Sequence, residues 1–492
     1  MSLKNRTVGA LSWSLLQEAA QRIIQLGIGI LLARLLLPAE FGLIAMLTVF
    51  IAVAQVLLDS GFVAALIQRK EVSDLDQNSV FYFNILMSLV LATGLCVAAP
   101  WIAEFYHQPQ LTSLTRWLSA ILVINALVVV QSALLIRQLN FKRLTLIATA
   151  STAVSGIVGL AFAWRGFGVW SLVGQQLAAS TMRACLYWRF NKWRPKWIFS
   201  AKALREMFAF GSGMAASSVV NTLFENLYAL VIGKLFSAAA LGFYSRAETL
   251  QNLPAQSLAS VVGRVTFPVF SSLQGDITRL HNGLRKAITS ITLLHFPVMI
   301  GLAAVARPLV LLLLTDKWAP SVPYLQLLCF VGLWYPLHLL NLNALLAVGR
   351  SGLFFRLEVI KKLLTVSNVL ITFRWGIQAM ICGQIVNSFL CFFINSYYSK
   401  RFVGYSTWQQ MRDVSPCLGA AVAMGLVVAF IHVPMPFAHL GQLGFKVFLG
   451  LFIYGGLALL FGFPALGYLQ EMLHAGRAGL PEDRAPAAIP VQ

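Results

Sequence analysis

The sequence predicts an all-α integral membrane protein of about fourteen transmembrane helices, twelve of them in two parallel six-helix repeats, with two more at the C-terminal end. Three observations carry this. The 492 residues are 58% hydrophobic and only 11% charged, where a soluble chain carries roughly 25% charged residues. Apolar runs recur near the ~20 residues that a helix needs to cross a ~30 Å hydrocarbon core. A short hairpin occurs twice, 200 residues apart without a gap: Arg34-Leu35-Leu36-Leu37-Pro38-Ala39-Glu40-Phe41-Gly42 and Lys234-Leu235-Phe236-Ser237-Ala238-Ala239-Ala240-Leu241-Gly242. In each copy a cation ends one apolar run, and eight residues later a glycine opens the next.

Further echoes keep the same order. Ala163-Trp164-Arg165 with Gly174-Gln175 matches Thr372-Phe373-Arg374 with Gly383-Gln384, at an offset of 209. Gly94-Leu95 leading to Pro100 is loosely matched by Gly301-Leu302 leading to Pro308. Duplicated halves of this kind are a common plan of secondary transporters.

Taken in order, the spans fall near residues 10–34, 43–66, 80–102, 114–136, 144–163, 169–188, 208–233, 243–267, 287–314, 320–347, 356–373, 377–398, 414–432 and 442–463. The first holds Gln17, Glu18, Gln21 and Arg22 and lacks a small-residue cleavage site, so it reads as a span rather than a cleaved leader. The eighth holds Arg246, Glu248, Gln251, Asn252 and Pro254; it is too polar for lipid and should face a water-filled interior. Six spans per half is an even number, so the repeats run parallel. This gives lobes at 1–207 and 208–413, two added spans within 414–463, and a cytoplasmic tail at 464–492 whose Pro-rich end, Arg477–Gln492, is expected to be disordered.

With the N-terminus in the cytoplasm, the inner segments carry 26 Lys and Arg residues and the outer ends carry 9. That bias places both termini inside. It accounts for most of the net charge of +20 without nucleic acid. The longest inner loop, 189–207, carries six cations with Trp193, Trp197 and Phe199, and reads as an amphipathic segment on the anionic leaflet.

No GxxxxGK[ST] or HExxH motif occurs, and no outer loop is long enough to hold a catalytic domain. An enzyme, a cofactor and a metal site are therefore not expected. Cys96, Cys185, Cys329, Cys382, Cys391 and Cys417 lie in apolar runs without a CxxC, and read as buried free thiols. The chemistry left is charge inside the membrane. The candidates for cargo binding are Arg22, Arg183, Arg246, Arg264 and Lys234; Glu18, Asp59, Glu225 and Glu248 are candidates for ion pairing or coupling. Glu18 and Arg22 share a helix face, and Arg183, Arg264 and Lys234 lie near span ends, where long cations snorkel. Arginine suits phosphate because its planar fork donates two parallel hydrogen bonds.

Leu32-Ala33-Arg34-Leu35-Leu36-Leu37-Pro38-Ala39-Glu40-Phe41-Gly42-Leu43 resembles the signature of the Wzx-type polysaccharide flippases, of the colanic acid exporter kind. Gly61-Phe62 through Ala65-Leu66-Ile67-Gln68-Arg69-Lys70, Ala99-Pro100 with Phe105-Tyr106, and Gly242-Phe243-Tyr244-Ser245-Arg246-Ala247 extend the resemblance over about residues 4 to 415. It implies the multidrug/oligosaccharidyl-lipid/polysaccharide exporter fold, two six-helix lobes around a central cavity. It also implies ion-driven alternating access that flips an undecaprenyl-diphosphate-linked oligosaccharide across a bacterial inner membrane for exopolysaccharide or lipopolysaccharide synthesis. A polymerase and co-polymerase would be downstream partners. The alternative within the same superfold is an ion-coupled multidrug or cation antiporter. It would want an acidic cavity, against the excess of arginine here.

Overall fold

A computed structural model describes residues 21–59, 62, 66–67, 72–138, 140–431 and 439–468. The described residues are helical, with short turns and one extended connection. In order they form α1 (residues 21–35), α2 (Pro38–Asp59), α3 (Asp74–Tyr106), α4 (Gln110–Ala126), α5 (Val129–Arg137), α6 (Phe141–Trp164), α7 (Trp170–Phe190), α8 (Ala201–Glu225), α9 (Leu227–Leu235) and α10 (Ala238–Ser272). They continue with α11 (Ile277–Ala304), α12 (Ala306–Leu314), α13 (Val322–Gly332), α14 (Tyr335–Ala347), α15 (Ser351–Thr372), α16 (Ile377–Val403), α17 (Thr407–Phe430) and α18 (His439–Leu460).

Eight of the described stretches are long and apolar enough to cross a bilayer. Two bent pairs raise this to ten: α4 with α5, bent by 42°, and residues 215–225 of α8 with α9, bent by 44°. The other four expected spans, at α1, α7, α10 and α15, are helical but too polar, or too short as described, to qualify on length and composition.

The helices group into two compact units. The first holds residues up to Arg246 together with Leu313–Pro320. Its α3 opens with a capping box: Ser73 accepts from the Asp76 N–H, and Asp76 accepts in return from the Ser73 N–H. The 189–207 loop is non-helical along 191–200. It runs extended, and its backbone is tied to α3, where Lys196 N donates to Asn78 Oδ1 at 2.6 Å and Ser200 N to Ser79 Oγ at 2.8 Å. Buried Asn78 and Ser79 thus replace the backbone partners that a helix would have supplied. Trp197 stacks on Tyr82 with one face left exposed.

The duplicated hairpins both fall in this unit, and their backbones agree. In each copy the helix stops at a leucine (Leu35, Leu235), two residues turn, and a new helix starts at Pro38 or Ala238. The two copies touch reciprocally. A Cβ on Gly42 would overlap the carbonyl of Ala238, and a Cβ on Gly242 would overlap the carbonyl of Pro38. This explains why the packing boundary lies after residue 246 while the repeat boundary read from the sequence lies at 207: the second hairpin packs on the first.

The second unit holds Ala247–Leu312 and the residues from Ser321 onward. Its core gathers Phe296, Trp334, Leu337 and Phe392 with Cys417, Ala421 and Met424 of α17 and Tyr454 of α18. The two added helices are therefore part of this core, and Tyr454 donates its hydroxyl proton to the Leu293 carbonyl at 2.9 Å. At one end, Arg285 grips Asp413 through Nε and Nη2 at 2.7 Å each, and Tyr405 donates to the same carboxylate at 2.7 Å. Burial, reinforced by that bond, pushes the Tyr405 hydroxyl well above the ordinary phenol range. All six cysteines are free, but Cys185 and Cys382 are exposed on helix faces rather than buried.

Candidate functional site

Arg246 closes the N-terminal segment of the first unit. It sits two turns into α10, half-buried, with its guanidinium 3.9 Å from the centre of the Phe41 ring. A Cβ on Gly29 would lie 3.2 Å from its Nη1, so the bare glycine makes room for it on α1. No carboxylate among the described residues forms a salt bridge with it. Arg22 is seven residues before Gly29, which puts it on the same face of α1, ~10 Å away. The opposite face exposes Ile23, Leu31 and Leu35. Arg22 and Arg246 thus both address the side of α1 turned away from its apolar stripe.

The other candidates separate. Lys234 is engaged at the end of α3: its ammonium donates to the Phe105 carbonyl, lies 4.6 Å from the Phe105 ring centre and 3.4 Å from His107 Nε2. A cation there offsets the partial negative charge of a helix C-terminus. Arg34 is also held rather than snorkelling, with Nε donating to the Leu313 carbonyl at 2.9 Å. Trp318 and Lys317 donate to the Ala33 and Arg34 carbonyls, so residues 313–320 close the end of α1. Arg183 is exposed on α7. Glu18 lies outside the described residues, as does the side chain of Arg264.

Two acids belong to polar stripes beside helix breaks. Asp59 accepts from Gln55 Nε2 at 3.4 Å, and Gln55 Oε1 accepts from Asn125 Nδ2 at 2.9 Å, just before the α4–α5 bend. Glu225 ends α8 at the α8–α9 bend, with Ser218 and Asn221 on the same face. Broken helices of this kind line substrate and ion sites in transporters. Glu248 is half-buried in the part of α10 that belongs to the second unit.

The second unit contains a charge site that sequence reasoning missed. Lys361 and Lys362, counted among the inner cations, lie in the middle of the 22-residue α15. Lys361 donates to Glu358, and the two side chains are only 15% and 31% exposed. The helix exposes Phe355, Val359, Leu363 and Leu370 on one side. Glu358, Lys361, Thr365 and Asn368 share the other, where Asn387 Nδ2 donates to Thr365 Oγ1 at 3.1 Å. His338 of α14 joins through Ser388, 3.4 Å from its Nε2, while its buried Nδ1 has no partner among the described residues. The signal was present: an acid and a base three apart, inside a run flanked by apolar residues.

A cavity of about 480 Å³ lies against α11, α17 and α18 in the same unit. Its lining is apolar, including Leu293, Val298, Leu302, Met424 and Leu451, apart from Lys446 and the Tyr454 ring. It suits a hydrocarbon chain with a cation beside it. Among the described residues no group of three or more His, Cys, Asp or Glu side chains is placed to hold a metal ion.

These features define a multi-pass helical membrane protein with polar, partly cationic helix faces. The chain belongs to the polysaccharide biosynthesis protein family, whose model matches residues 31–323. It is 28% identical over 448 residues to the lipopolysaccharide biosynthesis protein WzxC of Escherichia coli strain K12, covering 87% of this chain and 89% of that one. It is 30% identical over 357 residues to the teichuronic acid biosynthesis protein TuaB of Bacillus subtilis strain 168, covering 72% and 74%. The fold is that of the lipid II flippase MurJ solved in an inward closed conformation, with a TM-score of 0.75 at 13% identity over 92% of this chain and 98% of that one.

Proposed function

We propose that this protein translocates a polyprenyl-diphosphate-linked oligosaccharide repeat unit across the bacterial inner membrane, for assembly of an extracellular or surface polysaccharide. Membership of the polysaccharide biosynthesis family is the observation that carries this reading. The side chains fit it. Arg246 and Arg22 offer cationic forks for phosphate and acidic sugars. The apolar cavity beside Lys446 suits the polyprenyl tail. In this reading the protein is a transporter and not an enzyme, its two repeats form lobes that open alternately, and both termini face the cytoplasm. Ion coupling is assigned to acids beside helix breaks, Glu225 and Asp59, and downstream a polymerase extends the exported unit.

Deleting the gene in its host and analysing lipid-linked sugars alongside secreted polymer tests the reading. Loss of polymer, with lipid-linked repeat units trapped on the cytoplasmic side, is expected. Normal polymer together with new sensitivity to cationic drugs would contradict it, and would favour the antiporter.

A further inference from the structure

We propose that the second unit carries a phosphoryl-binding site, formed by Arg350, Arg356 and Arg401 at the start of α15 and the end of α16, that takes the headgroup phosphate of an anionic lipid. The three arginines line one cavity of about 530 Å³, which has no carboxylate in its wall. Arg350 and Arg401 flank a common platform, their guanidinium carbons 4.8 and 5.8 Å from the centre of the Phe402 ring. Stacking on an aromatic face holds a guanidinium in place while leaving its N–H edge free. Glu358, the acid nearest along α15, is already paired with Lys361.

Three like charges around one concavity repel each other, and no described residue lining it supplies a counter-charge. A phosphate relieves that repulsion and accepts parallel hydrogen bonds from more than one fork. The rim is open as well. A Cβ on Gly349 or Gly352 would meet nothing within 4 Å, and Arg350 leaves the start of α15 without a side-chain cap. Exposed amides there add to the positive potential. The cavity sits where α15 begins and α16 ends, which the span reading places at the level of lipid headgroups. The site is distinct from Arg22 and Arg246, and its existence does not rest on the proposed cargo. The shared chemistry is a lipid phosphate, and two sources supply it: the phospholipids of the bilayer and a polyprenyl diphosphate.

Native mass spectrometry of the full-length protein, titrated separately with cardiolipin and with polyprenyl diphosphate, tests the site. The comparison variant is Arg350→Gln/Arg356→Gln/Arg401→Gln. The charge-matched control is Lys142→Gln/Arg279→Gln/Arg412→Gln, three exposed cations outside the cavity. The pocket variant should lose at least tenfold in apparent affinity for one or both lipids, while the control stays within about twofold of wild type. Loss confined to cardiolipin assigns the site to bilayer phospholipid. Loss confined to the diphosphate assigns it to loading of a diphosphate lipid. Equal effects of the two triple variants, or none from either, would overturn the proposal and leave only the general positive charge of the cytoplasmic face. All six side chains are exposed, and unchanged melting of both variants confirms that folding is not what is being read.

Discussion

The hairpin α6–α7 in the first unit and the hairpin α15–α16 in the second echo one another in sequence and differ in their interiors. At the 209-residue offset of the Arg165 and Arg374 echoes, Thr149, Thr152, Gly156 and Gly159 align with Glu358, Lys361, Thr365 and Asn368. The outward faces agree: Leu146 and Phe355, which also align, are both exposed. The inward faces do not. In the first copy Gly159 lies against Gln175 and Gly174 against Phe162, while Thr152 bonds only the Ala148 carbonyl of its own helix. In the second, Gly383 faces Asn368, and an ion pair sits at mid-helix. A charge at mid-membrane costs roughly 2.5–3.5 kcal/mol on insertion scales, so the second hairpin carries a costly polar feature that the first does without.

The largest effect should come from breaking what the two halves still share. Gly42→Val places a side chain into the Ala238 backbone, and Gly242→Val does the same to Pro38. Each should cost about 3 kcal/mol or more, because backbone cannot give way as a side chain does. The two losses should be alike in thermal melting of the purified protein. A mild effect of either one would break the equivalence of the hairpins. Next comes the ion pair. Lys361→Met leaves Glu358 as a partly buried, unpaired acid and should cost about 3 kcal/mol. Glu358→Leu/Lys361→Met should recover most of that, as the Thr149 and Thr152 copy does without charge. Additive losses in this cycle would mean that the two groups do not act as a pair. The smallest effect separates two hydroxyls. Thr365→Val strands Asn387 and should cost about 1 kcal/mol, whereas Thr152→Val should stay within about 0.5 kcal/mol.

Much of the architecture was legible. The Gly42 and Gly242 hairpins could be read because the contact admits only glycine, which leaves the same mark in both halves. Among the described residues, run length and polarity located helices at the expected spans, eight to ten of them long and apolar enough to cross a bilayer. Site chemistry was less legible. Lys361 and Lys362 enter the count of inner cations although they fall within the expected span 356–373; Glu358, three residues before Lys361, was the overlooked cue. The engagement of Lys234 with Phe105 and His107 joins residues about 130 apart in sequence, and no local pattern announces it. The arginine cavity is hidden for the same reason: Arg350 and Arg401 are separated by two helices. By contrast, Arg246 stood out from the sequence because its span is too polar for lipid, and the structure gives it an aromatic seat on Phe41.

In the proposed function, the first unit's cations handle an anionic, lipid-linked saccharide. Reconstitution in liposomes with a labelled polyprenyl-diphosphate saccharide, reading the fraction that reaches the opposite leaflet, tests it most directly. Wild type should move the lipid, Arg246→Gln should slow it by about tenfold, equivalent to roughly 1.4 kcal/mol, and Lys234→Gln should leave most of the rate. Equal rates for wild type and Arg246→Gln, or no movement by wild type under an imposed proton or sodium gradient, would contradict the account.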